Sequence, residues 1–132
     1  MTVNEDALLD LAKQVRSRAY APFSRYRVGA AILDSDGNVH SGCNVENAAY
    51  PEGICAETNA IGSMVAAGGK KIARIVIVGG RDGLDPCTPC GGCRQRIREF
   101  ADDDTIVAVV GVGGGLERFT IGELLPESFR LS

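Results

Sequence analysis

Apolar residues recur along this chain with two different periods, and the changes of period divide it into elements. Leu8, Leu11, Ala12, Val15 and Ala19 fall on one stripe at helical spacing with charged residues opposite, which predicts an amphipathic helix over residues 5–19. Thr2-Val3-Asn4-Glu5 offers a capping box at its start, and Pro22 stops it. Residues 27–33 read as a strand, 34–37 as a turn and 38–43 as the return strand, followed by a polar loop over 44–54. Residues 55–67 favour helix, with Gly68-Gly69 as the stop. The run 75–78 is short and unbroken in its apolar character, the mark of a strand covered on both faces. A loop over 79–89 then leads to a helix over 90–100, a buried strand over 105–110, a glycine-rich turn and a strand over 116–120. One helical turn over 122–125 precedes a tail that carries Phe129.

Hairpin, helix, strand, helix, strand, strand predicts the α/β class, as a three-layer α/β/α domain around a mixed five-stranded sheet. No repeat, linker or low-complexity segment interrupts it, so residues 1–132 are expected to form a single domain.

Charge narrows the choice of partner. The net charge is −3, and the basic residues are scattered apart from Lys70-Lys71 and the group Arg94, Arg96, Arg98. Except for Arg94, these read as solvated helix ends or faces. A nucleic acid polymer selects for a basic footprint, which is absent here, so a small diffusing substrate is expected. Glu5, Asp6 and Asp10 speak against a signal peptide, and no run approaches the ~20 apolar residues of a membrane span. Four of the five cysteines crowd at Cys55 and between Cys87 and Cys93. Such clusters point to metal or redox chemistry before disulfides, and to a reduced cytoplasmic setting.

The cysteines begin helices. Cys55 opens one predicted helix, and Cys90 with Cys93 opens the next, where unpaired N–H groups and the helix dipole favour thiolate. Three thiolates can hold Zn²⁺ and leave a fourth position for water. Zinc lowers the pKa of a bound water, so Glu57, two residues after Cys55, can take its proton at neutral pH. Cys55 and Glu57 do not share a helix face, so the turn entering the helix must bring them together. Cys87-Thr88-Pro89-Cys90 is itself a Cys-x-x-Cys, and the register Cys90/Cys93 is preferred because Pro89 suits a position just before a helix. Cys87 is then a spare loop cysteine, Cys43 a buried strand residue and His40, the one histidine, a polar residue at a strand end. Three thiolates outweigh the charge of the ion, and Arg94, directly after Cys93, is the best-placed cation to offset the excess. The competing reading of Arg94 is a surface arginine.

Cys55-Ala56-Glu57 followed by Pro89-Cys90-Gly91-Gly92-Cys93 resembles the signature of zinc nucleobase deaminases. With Ala21-Pro22-Phe23-Ser24-Arg25-Tyr26-Arg27-Val28-Gly29-Ala30-Ala31, Gly42-Cys43-Asn44-Val45-Glu46-Asn47-Ala48 and Leu124-Leu125-Pro126-Glu127-Ser128-Phe129, the chain is similar along nearly its whole length to the small homotetrameric cytidine deaminases that act on free nucleosides. The resemblance implies that Asn44 and Glu46 hydrogen-bond the ribose 3′-hydroxyl. It also implies that Tyr26 lies against the pyrimidine, that the Ala56 backbone helps hold the base, and that Tyr50 and Phe129 reach the substrate from neighbouring subunits. Two positions depart from the family: Tyr26 stands where a phenylalanine is general, and Thr58 where many members have an arginine that helps neutralise the cysteines.

The function so implied is zinc-dependent hydrolytic deamination of cytidine and deoxycytidine to uridine and deoxyuridine, with release of ammonia, in pyrimidine salvage. Glu57 would take the proton of the attacking water, pass it to N3 of the base and return one to the departing amine. A deaminase of another aminopyrimidine nucleoside, such as a blasticidin-type substrate, is the near alternative. A closed, non-catalytic zinc module and a redox protein built on Cys90 and Cys93 are the distant ones, and neither accounts for Glu57.

Overall fold

A computed structural model describes residues 4–131. Five strands form one sheet in the order β2-β1-β3-β4-β5: β1 over Arg27–Asp34, β2 over Val39–Cys43, β3 over Ile72–Gly80, β4 over Ile106–Val110 and β5 over Leu116–Thr120. Strand β1 runs antiparallel to both β2 and β3, β3 runs parallel to β4, and β4 pairs antiparallel with β5. The mixed sheet expected from the pattern is therefore present.

Alternation along the central strands sorts the core into two layers. Ala30, Ile32, Ile75, Ile77, Val107 and Val109 face α2 (Ala56–Ala66), α3 (Gly91–Glu99) and the short α4 (Ile121–Leu124). Ala31, Val76, Val78, Ala108 and Val110 face Leu8 and Ala12 of α1 (Glu5–Arg16) on the other side. A strand buried on both faces has no polar position to show, which is why 75–78 reads as an unbroken run. Beyond that run β3 continues at both ends, because β1 pairs with it from Ile72 to Gly80.

The helix boundaries are tighter than the pattern suggested. Helix α1 stops at Arg16 rather than at Ala19, and Asn4 is its N-cap, accepting a hydrogen bond from the Ala7 N–H at 2.8 Å. The expected capping box thus gives way to a single asparagine cap; Thr2, its other half, lies outside the described residues. The loop over 44–54 is more ordered than a polar stretch implies. Val45 bridges both Tyr20 and Ile54, and Tyr50–Glu52 forms one 3-10 turn with Pro51 in its first positions.

Helix α2 lies close on β2, and Gly42 is the reason it can. A Cβ at that position would stand 2.4 Å from the Ala60 nitrogen and 2.8 Å from the Ala56 oxygen. Asn59 adds a tie from the helix, its Nδ2 donating to the Cys43 carbonyl at 2.8 Å. Together they fix the height of the first turn of α2 above the sheet edge, and with it the positions of Cys55 and Glu57.

Candidate metal centre and its surroundings

Two helix starts meet at the site. Cys55 is the N-cap of α2 and Cys90 the N-cap of α3, both with extended backbone, and neither thiol closes a side-chain cap hydrogen bond. Ser, Thr, Asn or Asp at a cap would satisfy an N–H of the first turn; cysteine leaves its sulfur free for another partner. Cys93, one turn into α3, is fully buried. The three sulfurs all lie within 4.8 Å of one another, on the scale of two Zn–S bonds of about 2.3 Å each. Cys87 is not part of that group.

Glu57 sits beside them with 5% of its surface exposed. Burial pushes its carboxyl above the ordinary range, against the pull of its own backbone N–H, the Cys93 thiol and the charge of Arg96. The cap position of Cys55 answers the problem of shared faces: an extended residue is not bound by helical spacing, so its thiol and the Glu57 carboxylate need not be a helical step apart.

The thiols themselves call for a cation. Burial raises Cys93 far above an ordinary thiol, with the Glu57 and Cys55 charges adding to it, and burial likewise raises Cys55. Cys90 is lowered: burial opposes its ionisation, but the Cys93 N–H and the neighbouring thiol groups outweigh that cost. Three sulfurs this close cannot all carry charge beside a carboxylate without a positive ion among them. An all-thiolate donor set of this span suits zinc, a borderline-soft ion, rather than magnesium or calcium.

Arg94 does not stand where the sequence placed it. Its Nε donates to the Pro89 carbonyl at 2.8 Å, Nη1 to the Leu124 carbonyl at 2.9 Å and Nη2 to Thr88 Oγ1 at 3.4 Å. It ties the loop before α3 to α4, and its fork is occupied by two carbonyls and a hydroxyl. The guanidinium that reaches a sulfur belongs to Arg96, whose place among scattered charges reads as a solvated face. Its spacing of three from Cys93 was the available signal.

Of the residues expected around a substrate, Tyr26, Asn44, Glu46 and Tyr50 lie on the β1–β2 side. Asn44 Nδ2 donates to the Tyr26 carbonyl at 2.9 Å and its Oδ1 accepts from the Val28 N–H at 2.8 Å, which pins the start of β1 to the end of β2. Glu46 Oε1 accepts from the N–H groups of Phe23 and Ser24 at 2.9 and 3.2 Å, and Oε2 accepts from the Ser24 hydroxyl, which holds its carboxyl below the ordinary range. Tyr26 is half-buried, and burial together with the Cys87 thiol pushes its phenol up to about 12. Cys87 is half-buried against it, and its own thiol is raised by burial. Tyr50 is 75% exposed and meets Phe23 edge to face, ring centroids 5.9 Å apart. A cleft of about 360 Å³ is lined by Phe23, Ser24, Glu46, Asn47, Tyr50 and Gly53. Ala56, the first residue of α2, is fully buried. Phe129 lies on the tail and is 69% exposed.

His40 and Cys43 stand away from the metal centre. His40 Nε2 meets buried Asp34 at 2.7 Å, and Cys43 is half-buried in β2. Among the described residues no helix is long and apolar enough to cross a membrane.

Comparison with known proteins agrees with this geometry. A cytidine deaminase of Sporosarcina psychrophila is 38% identical over 124 residues, covering 94% of this chain and 90% of that protein. A crystal structure of cytidine deaminase from Burkholderia pseudomallei superposes with a TM-score of 0.86 at 41% identity, covering 96% of this chain and all of that one. A blasticidin-S deaminase of Bacillus cereus is more distant, 35% identical over 109 residues, with 78% of this chain and 76% of that protein covered. The family model for the cytidine and deoxycytidylate deaminase zinc-binding region matches residues 2–109, and the chain belongs to that family.

Proposed function

We propose that this chain is a zinc-dependent cytidine deaminase that converts cytidine and deoxycytidine, with water, to uridine and deoxyuridine and ammonia. The observation that carries the reading is a buried carboxylate, Glu57, beside three convergent thiols in a chain of this family. Cys55, Cys90 and Cys93 would hold one zinc. When bound, zinc supplies a Lewis acid that lowers the pKa of water and fixes it for attack.

Glu57 does the proton work. It takes the proton of the water that adds to C4 and delivers it to N3, so the ring accepts the electron pair without building up charge. It then takes the proton of the new C4 hydroxyl and hands it to the exocyclic amine, which leaves as ammonia as the C4 carbonyl forms. A carboxyl raised by burial suits a group that must both accept and return a proton near neutrality. Ala56, at N1 of α2, has an N–H with no helical partner, available to a base oxygen. Asn44 and Glu46 retain lone pairs, and Asn44 an amide hydrogen, for the ribose 3′-hydroxyl. Tyr26 would lie against the base.

Tyr50 and Phe129 carry more exposed aromatic surface than a solitary domain gains from, which supports a homotetramer in which they complete a neighbour's site. Cytoplasmic pyrimidine salvage fits five free thiols and a small nucleoside substrate. One sheet carries strands from both halves of the chain, which favours treating residues 1–132 as one domain.

The test is ammonia release by the zinc-loaded protein from a panel of aminopyrimidine and aminopurine nucleosides, with zinc content measured in parallel. Cytidine and deoxycytidine should be the best substrates, at one zinc per chain. Preference for a blasticidin-type nucleoside would keep the chemistry and overturn the substrate.

A further inference from the structure

Arg96 lies one turn after Cys93 on α3 and folds back onto it, Nη1 donating to Cys93 Sγ at 3.7 Å. Spacing of i to i+3 puts the two on one face of the helix. The guanidinium lies over Gly92, where a Cβ would stand 3.2 Å from the same Nη1. Among the described residues no carboxylate forms an ion pair with Arg96, whereas its helix neighbour Arg98 pairs with Asp103. From the facing helix, Thr58 brings its Oγ1 within 4.0 Å of the same sulfur. Helix α2 thus offers Cys93 a short hydroxyl where α3 offers a cation.

We propose that Arg96 balances the charge of the three-thiolate set, acting through Cys93, and that Thr58 leaves it the space to do so. This rests on reading Cys55, Cys90 and Cys93 as zinc ligands. Three thiolates carry more charge than one divalent ion cancels, and the excess weakens the metal as a Lewis acid. A charge-assisted N–H bond draws density off the sulfur and is about twice as strong as a neutral one. Arginine keeps that charge at every working pH. Arg94, bound to the Pro89 and Leu124 carbonyls, is not free to share the task. Arg96 touches a ligand rather than the substrate, so it is a positioning residue.

Cobalt(II) in place of zinc makes the sulfurs visible, because the energy of the sulfur-to-cobalt charge-transfer band follows the charge on the thiolates. The holoprotein would be compared with Arg96→Met, Arg96→Lys, Arg94→Met and the double variant Thr58→Arg with Arg96→Met. Band position and the rate of metal loss to excess chelator would be read for each. Arg96→Met should move the band to lower energy and weaken metal retention about 10-fold or more, the usual cost of removing a group that supports a ligand. Lysine should restore part of both. An arginine at 58 should restore both from α2, which a merely structural role for Arg96 would not allow. Arg94→Met should lower thermal stability and leave the band in place. Should Arg96→Met fail to fold, Arg96→Gln removes the charge and keeps a polar stem, and the same shift is expected. A wild-type band and retention rate in the uncharged Arg96 variants would overturn the proposal, as would a shift that follows Arg94 instead. A wild-type protein that takes up no cobalt with a thiolate band would bring down the zinc reading itself.

Discussion

Gln95 holds Phe129 by its backbone and leaves its ring free. Gln95 Nε2 donates to the Phe129 carbonyl and Gln95 Oε1 accepts from the Phe129 N–H, both at 3.1 Å. The side chain two residues past Cys93 therefore fastens the tail, while the residue itself stays exposed. A tail that merely packed onto its own domain would bury the ring. Phe129→Ala should raise KM by the equivalent of roughly 0.5–1.5 kcal/mol, for a lost aromatic contact, with little change in melting temperature. Gln95→Ala should raise KM as well, by freeing the tail that aims the ring. Sedimentation run beside KM over a concentration series checks both. A KM unmoved in Phe129→Ala, with stability lowered instead, would return the residue to a purely structural role.

The metal register is open to a direct comparison. Pro89 is buried and separates Cys87 from Cys90, and Cys87 packs toward Tyr26 rather than into the sulfur cluster. Cys87→Ala should keep a full complement of zinc, whereas Cys90→Ala and Cys93→Ala should each lose it. Metal analysis of the three purified variants decides the matter, and zinc lost from Cys87→Ala but kept by Cys93→Ala would reverse the assignment.

Glu57→Gln should keep fold and zinc and lose deamination. The amide nearly matches the carboxylate in shape but can neither take nor return a proton. General acid–base groups contribute ~10²–10⁴ in rate, and Glu57 is proposed to serve two transfers, so a loss at or above the upper end of that range is expected. Single-turnover rates with zinc content measured on the same sample check it. Near-normal turnover would remove Glu57 from the chemistry.

The sheet was legible because its strands are apolar on the faces they bury, and the cysteine motifs because few other roles require that spacing. What the sequence hid lies in side chains whose direction depends on tertiary neighbours. Arg94 and Arg96 both follow Cys93 on α3, and the approach of Leu124 from α4 and of Pro89 from the loop draws Arg94 away from the sulfurs. Asn59 reads as an ordinary helix residue until β2 brings the Cys43 carbonyl above it. Helix α1 carried its apolar stripe on to Ala19, but the regular helix ends at Arg16, and Tyr20 joins the loop at Val45 and Asn44.

Acid should loosen the β1–β2 hairpin through Asp34. His40 at 2.7 Å holds the buried Asp34 carboxyl below its ordinary value, aided by the N–H groups of Asn38 and Asp36 and opposed by burial. A carboxyl lowered in the folded state stabilises that state above its unfolded pKa, near 3.9, and the contribution fades as pH falls through the folded value. Wild-type stability should therefore drop below about pH 4, and Asp34→Asn should be less stable at neutrality with a flatter decline into acid. Denaturant unfolding from pH 7 downward measures both curves. Parallel curves for the two proteins would mean that Asp34 has no part in the acid sensitivity.

Gly42→Ala tests whether the seating of α2 governs the site. The added Cβ would meet backbone, the Ala60 nitrogen at 2.4 Å and the Ala56 oxygen at 2.8 Å, so no side chain can swing aside to admit it. Overpacking of this kind typically costs ~1–3 kcal/mol, and relief requires α2 to lift from β2. Lifting the helix would weaken the Asn59 bond to Cys43 and carry Cys55, Ala56 and Glu57 away from Cys90 and Cys93, which ride on the other helix. The variant should thus lose zinc retention and turnover beyond what its lowered stability accounts for. Gly37→Ala, at a turn glycine with φ of +89° and nothing within 4 Å of its Cβ, is the control. It should lose stability through backbone strain alone and keep its metal. Equal zinc retention in the two variants at matched stability would separate the packing of α2 from the metal centre.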